Sequence, residues 1–298
     1  MKHAFLIMIH SNYDLVSRLL KKLDHSNNTI YIHVDAKSTF SDEDETLLVN
    51  SCKDSKVIFV DRYPVNWGGY SQIRCELHML KVAFRQKYDY YHFLSGVDFP
   101  IKSMEHIHDF FNKNIGYEFV HFCSDEFTQS HKNRYCLYHF FQEKCARKNN
   151  FYMIVKRALL LIQKMLKVNR ARKYPNIQFK CGSNWVSITH DAVSYTLSKE
   201  KEIKKMFSHS FCCDEFFLQT IIYNSNFKEK IFCVSDENNV FSNMRSVDWE
   251  RGNKKLGSPY TYTDKDYEQL INSKNLFCRK VSDSTPEENA LIEKLEQL

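Results

Sequence analysis

A mixed α/β fold on a mostly parallel, Rossmann-like central sheet is what this sequence predicts, and three observations carry the prediction. Strand-like apolar runs alternate with runs of helical period through the first hundred residues. The first run, residues 3–9, is apolar almost throughout, as a strand covered on both faces must be. Acids stand just beyond strand ends at Asp35 and Asp98, where open α/β sheets bind their ligands.

Taken in order, the elements support this. Leu15, Val16, Leu19, Leu20 and Leu23 recur at helical spacing behind Asn12, a residue suited to capping. Residues 29–34 form the second strand, ending at Asp35, and residues 56–60 the third. Ser71 is placed to cap a helix carrying Ile73, Leu77, Leu80 and Phe84, after which 90–95 returns as a strand. The second half is less regular. A core strand is expected at 185–188, helices near 192–197 and over 211–223, and a short helix at 264–271.

The bulk numbers narrow the class. A chain of 298 residues, 43% hydrophobic and 26% charged, buries a real core and is neither disordered nor fibrous. With 7 glycines and 5 prolines there is no room for long flexible linkers, so one domain is expected. A net charge of +6 is too mild to demand nucleic acid, though it suits an anionic partner. Ten cysteines without zinc-type spacing read as reduced core residues. The apolar run 4–9 is too short for an export signal or a membrane span, which leads to the expectation of a cytoplasmic protein of bacterial type.

Four constellations bear on chemistry. Asp35 at a strand end can accept hydrogen bonds from a base or ribose, or cap its own loop. In VNWGGYS at 65–71, Trp67 offers a flat face and Gly68 lets backbone approach a ligand; the plain alternative is a tight turn. The turn at 94–103 carries one acid, Asp98, where a metal site would want two. The Asp-x-Asp matches at Asp42 and Asp264 precede helices, where acids complement the helix dipole. Finally, Asp214 and Glu215 lie among Phe and Cys side chains that favour a raised carboxyl pKa; a buried structural acid is the competing reading.

Seven segments in order, FLIMIH at 5–10, IYIHVDAKS at 30–38, WGG at 67–69, LSGVDFPIKS at 94–103, GSNW at 182–185, DEFF at 214–217 and NLFCRK at 275–280, resemble the motifs of the core-2/I-branching β-1,6-N-acetylglucosaminyltransferase and peptide O-xylosyltransferase family, glycosyltransferase family 14. The resemblance spans residues 3–281. It implies a GT-A type fold, with 1–103 as a nucleotide-binding half, 104–281 as an acceptor and catalytic half, and 282–298 as a C-terminal surface helix or tail. It implies inverting transfer from a UDP-sugar, N-acetylglucosamine by default and xylose second, to a glycan or lipid-linked glycan hydroxyl, with no cofactor and no metal. Glu215 matches the family's general base, Asp35 its uridine contact, Lys280 its diphosphate lysine, and Trp249 a tryptophan lining the acceptor side. Ile9, Trp67, Gly68 and Asp98 complete the expected donor site; Ser183 and Trp185 complete the acceptor site. The family's second diphosphate ligand, an arginine before the C-terminal helix, has no counterpart in 257–262, and Arg245 is preferred over Arg251 and Arg279 as its substitute. A non-catalytic glycan- or membrane-binding relative is the alternative class, which Glu215 and Lys280 speak against.

The stretch 151–173 is apolar and basic. It reads as a core helix with a basic outer edge, or as a helix resting peripherally on the inner face of the plasma membrane.

Overall fold

The computed structural model describes residues 1–145, 151–233, 242–253 and 257–298. In chain order the elements are β1 (His3–Ile9), α1 (Tyr13–Leu23), β2 (Asn28–Val34), α2 (Asp42–Val49), β3 (Lys56–Phe59), α3 (Tyr70–Phe84), β4 (Tyr90–Ser95), β5 (Asp98–Pro100), α4 (Met104–Lys113), α5 (Asp125–Ser130), α6 (Asn133–Cys136), α7 (Gln142–Cys145) and α8 (Phe151–Met165). There follow β6 (Ser187–Thr189), α9 (His190–Ser198), α10 (Glu200–Phe207), α11 (Asp214–Tyr223), β7 (Arg245–Val247), α12 (Tyr267–Ile271), β8 (Phe277–Arg279) and α13 (Pro286–Glu296), with short 3-10 turns between.

The central sheet runs β3-β2-β1-β4-β6, parallel except for β6, which pairs antiparallel with β4. Chain order reverses between β1 and β4, the switch point at which doubly wound sheets open a crevice beyond their carboxyl ends. The α/β class with a Rossmann-like, mostly parallel sheet is therefore the architecture expected from the alternating pattern.

Strand β1 shows why its sequence is apolar throughout. Ala4 and Leu6 enter the core beneath α3, α9 and α11, while Phe5, Ile7 and Ile9 enter the one beneath α1, α4 and α13. Only Met8, near the end of the strand, is less than fully buried. A second, three-stranded sheet, β5-β8-β7, sets Asp98 opposite Arg279 and Val247 beside it.

Asn12 caps α1 as expected, its Oδ1 accepting the Leu15 amide at 3.2 Å. Asp42, Asp44 and Asp266 serve helix starts; Ser41 with Asp44 and Thr263 with Asp266 form capping boxes. One expectation needs correction. The cap of α3 is Gly69, and Ser71 lies inside the first turn, its hydroxyl donating to Glu143 at 2.8 Å. The C-terminal helix lies at the surface with one face on the core: Leu291, Ile292 and Leu295 are fully buried, and Arg18 bonds Glu296 through both Nε (2.7 Å) and Nη2 (2.8 Å). All ten cysteines are free thiols, seven of them buried.

Candidate active site

The site is built where segments distant in sequence reach the carboxyl edge of the central sheet. On the side where the donor is expected, the Ile9 carbonyl at the end of β1 accepts the Asp35 amide at 2.9 Å, so Asp35 is tied to both strand ends. Ile9 itself is buried. The Asp35 Oδ1 accepts the Lys37 amide at 2.9 Å and the Val65 amide at 3.4 Å, and Lys37 Nζ lies 3.5 Å from Oδ2. The loop-capping reading of Asp35 is thus realised, at a position that still borders the crevice.

The turn carrying Trp67 is tight because other segments crowd it. Gly68 has φ +70°, and a Cβ there would come 2.7 Å from Phe211 Cε2. Its carbonyl accepts the Cys212 amide at 3.0 Å, joining this turn to the residues just before α11. The Trp67 ring is exposed and meets Phe211 edge-on at 5.4 Å.

Helix α11 begins with two acids whose side chains diverge. Glu215 faces the opening: its Oε2 pairs with Arg134 Nη1 at 2.5 Å, and its side chain is 39% exposed. Its carbonyl accepts the Gly182 amide at 2.9 Å, which brings the 182–185 segment alongside. Asp214 points inward, where Oδ2 accepts Gln72 Nε2 at 3.0 Å and Oδ1 has no partner. Burial, with repulsion from Glu215 next, pushes the Asp214 carboxyl up to about 7. Glu76 lies close enough to Asp214 to be repelled by it; burial, and then that charge, raise its carboxyl well above the usual range, with Asn184 Nδ2 3.5 Å from its Oε1. The apolar surroundings inferred around the Asp-Glu pair therefore act on Asp214. Glu215 sits instead beside a guanidinium at the rim.

On the opposite side, Asp98 is completely buried. Its Oδ2 accepts the Ser95 amide at 2.7 Å, the Ser95 hydroxyl at 2.5 Å and Arg279 Nη1 at 2.9 Å. The Arg279 guanidinium is thereby held 4.4 Å over the Trp185 ring. Asp98 is turned from the opening toward Arg279, so any influence on a ligand passes through that arginine.

Arg245 is correspondingly removed from the site. It is 2% exposed, donating to Ser187 Oγ at 2.9 Å and to the carbonyls of Asn243 at 2.5 Å and Val186 at 3.2 Å, with its guanidinium over Phe277. Desolvation lowers its pKa to about 9, partly offset by Asp98. A buried arginine occupied by backbone is a strut, so the preference for Arg245 over Arg279 as a ligand does not survive the geometry. Lys280 is half-buried and donates to Ser258 Oγ at 2.8 Å. Ser183 lies at the entrance to β6, its hydroxyl accepting the Trp185 amide at 3.3 Å and its carbonyl accepting Gln219 Nε2 at 2.6 Å. Trp249 is exposed just beyond β7, the strand beside Arg279.

The structure thus links Trp67 and Gly68 to α11, Glu215 to Gly182, Trp185 to Arg279, and Arg279 to Asp98. Sequence reasoning missed Arg134, Gln72 and the Glu76–Asp214 pair, since none stands in a recognisable motif. Among the described residues, no three His, Cys, Asp or Glu side chains converge as metal ligands.

The family model described as Branch, Core-2/I-Branching enzyme, matches residues 3–273. The chain is 24% identical over 259 residues to xylosyltransferase sqv-6 of Caenorhabditis briggsae, 84% of this chain and 29% of that protein. It is 23% identical over 272 residues to xylosyltransferase 2 of Rattus norvegicus, 87% of this chain and 27% of that one. The chain therefore spans less than a third of the length of these relatives. Among solved structures, core-mannan synthase A from Aspergillus fumigatus in an Mn/GDP form aligns with TM-score 0.38 at 10% identity, covering 75% of this chain and 70% of that one. Mouse xyloside xylosyltransferase 1, apo form, aligns with TM-score 0.35 at 10% identity, covering 74% and 81%.

Proposed function

This chain belongs to the Core-2/I-branching enzyme family, and on that premise we propose that it transfers a sugar from a uridine diphosphate donor to a glycan hydroxyl with inversion and without a metal ion. The observation that carries the reading is Glu215, a partly exposed carboxylate held by Arg134 at the start of α11. As the acceptor oxygen attacks the anomeric carbon, Glu215 takes its proton. The bond to the diphosphate breaks on the opposite face, and its electron pair leaves with the phosphate oxygen.

Arg134 pairs with the base and fixes its direction until the acceptor arrives. Arg279, aimed by Asp98, and Lys280 supply fixed positive charge for the leaving diphosphate, the task a divalent ion would otherwise serve. Asp35 and Ile9 border the nucleoside, with Trp67 and Gly68 beside them; Ser183, Trp185 and Trp249 line the acceptor side. Xylose is the first donor sugar to test, supported by the names of the relatives, and N-acetylglucosamine the second. A cytoplasmic placement belongs to the same proposal.

Glu215→Gln keeps the side-chain shape and removes the base. Turnover is expected to fall by about 10²-fold or more while UDP binding, read by calorimetry, stays within about twofold. Retention of more than about a tenth of the wild-type rate would remove Glu215 from the role.

A further inference from the structure

Helix α8 is built the wrong way round for a core helix. Phe151, Ile154, Ala158, Leu161 and Met165, at successive steps of three and four residues, form one stripe, and it faces solvent: Phe151 is 73% exposed, Ile154 67%, Leu161 62% and Met165 80%. Ile162 and, just past the helix, Leu166 widen the same face at 50% and 72%. The buried positions are polar, Lys156 at 7% and Gln163 at 8%.

These polar residues anchor the helix. Gln163 donates to the Tyr138 carbonyl at 2.9 Å and accepts the Tyr138 amide at 2.7 Å. The Lys156 ammonium bonds Gln142 and lies 4.7 Å from the Phe211 ring centroid. The core-helix reading of 151–173 is therefore overturned. A continuous apolar stripe of this size in water implies an occupant.

Charge says which one. No acidic residue stands between Glu143 and Asp191. Arg157 and Lys164 run along one edge of the stripe, and Lys167, Arg172 and Lys173 follow it, all exposed. A second copy docking face to face would set these cations against each other. An anionic surface with an apolar interior satisfies both features. At 15 residues the helix is about 22 Å long, too short to cross a hydrocarbon core and suited to lying along it. We propose that α8 docks the protein on an anionic lipid bilayer, with the Phe151–Met165 stripe in the acyl boundary and the surrounding lysines and arginines among the headgroups.

The docking has a consequence for the site. Gln142, which holds Lys156, also donates to the Trp67 carbonyl at 3.0 Å, and Phe211 lies between Lys156 and Trp67. The helix therefore seats against the same wall that leads into Glu215. Resting on the proposed transferase activity, this turns the Trp67 side of the site toward the bilayer surface, an arrangement suited to an acceptor carried on a lipid.

The test is flotation of the full chain at low salt with vesicles of phosphatidylcholine alone and of equal parts phosphatidylcholine and phosphatidylglycerol. Binding is expected only to the anionic vesicles. It should fall about tenfold or more in Ile154→Glu/Leu161→Glu and, separately, in Arg157→Glu/Lys164→Glu, with Tm unchanged because all four side chains are exposed. Calorimetric UDP binding on the same samples reports independently on the donor site. The proposal is overturned if the folded wild-type chain stays with the neutral fraction, or if both variants float as well as it does. It is equally overturned if sedimentation shows a dimer that these substitutions dissolve while no vesicle binds.

Discussion

At the scale of single residues, position within the fold divides the charged groups into those that the proposed function sets at the leaving group and those that hold the frame. Arg279 and Lys280 are half-buried, and Arg245 is walled in by Val186, Ser187 and Phe277. Alanine at 279 or 280 is expected to weaken UDP binding by tenfold or more, about 1.4 kcal/mol. Alanine at 245 should lower Tm and leave UDP affinity in the folded fraction nearly unchanged. Calorimetry beside thermal melts separates the two roles, and a donor-binding loss confined to Arg245→Ala would reverse them.

Asp214 makes a second residue-scale prediction. Its carboxyl is pushed from 3.8 up to about 7 by burial and by Glu215. Between those values the unfolded chain releases a proton that the folded chain retains, so this contribution to stability is complete below pH 3.8 and is lost as pH rises through about 7. Asp214→Asn keeps an oxygen for Gln72 and abolishes the titration. The fall in Tm from pH 5 to pH 8 should then be smaller in the variant than in the wild type, as melts at both pH values would show.

At the scale of elements, the turn before α3 is a packing joint. Gly68 combines φ +70° with a Cβ position 2.7 Å from Phe211, and that ring is hemmed by Trp67 and by His139, whose centroid is 5.5 Å away. Gly68→Ala must strain the backbone or displace Phe211, and with it the entry to α11. A loss of about 1–3 kcal/mol is expected from chemical denaturation. Helix α8 teaches the converse about periodicity: its repeat announces a helix and an apolar side, but not what covers that side.

At the scale of the whole molecule, the two sheets together fix the charge around the proposed leaving group. The central sheet supplies the crevice, and the β5-β8 pairing of Asp98 with Arg279 aims a guanidinium at its edge. If fixed cations take the diphosphate, transfer should continue in excess EDTA. Loss of activity that Mn²⁺ restores would show that a metal ion completes the site.

The sequence by itself determined the class of fold and the run of strands β1 to β4 along the chain, because a strand buried on both faces is apolar and a crossover helix must carry a 3.6-residue repeat; the second sheet, β5-β8-β7, was not legible in it. It also marked Asp35, Trp67, Gly68, Asp98, Trp185, Glu215 and Lys280, since short ordered motifs survive in one dimension. Only the tertiary structure decided that Arg245 is walled into the core, which of two adjacent acids is desolvated, that Arg134 meets Glu215, and that α8 turns its apolar stripe to water. Each depends on what packs against a side chain from a distant segment, and burial, desolvation and ion pairing are properties of that neighbour rather than of the residue's own place along the chain.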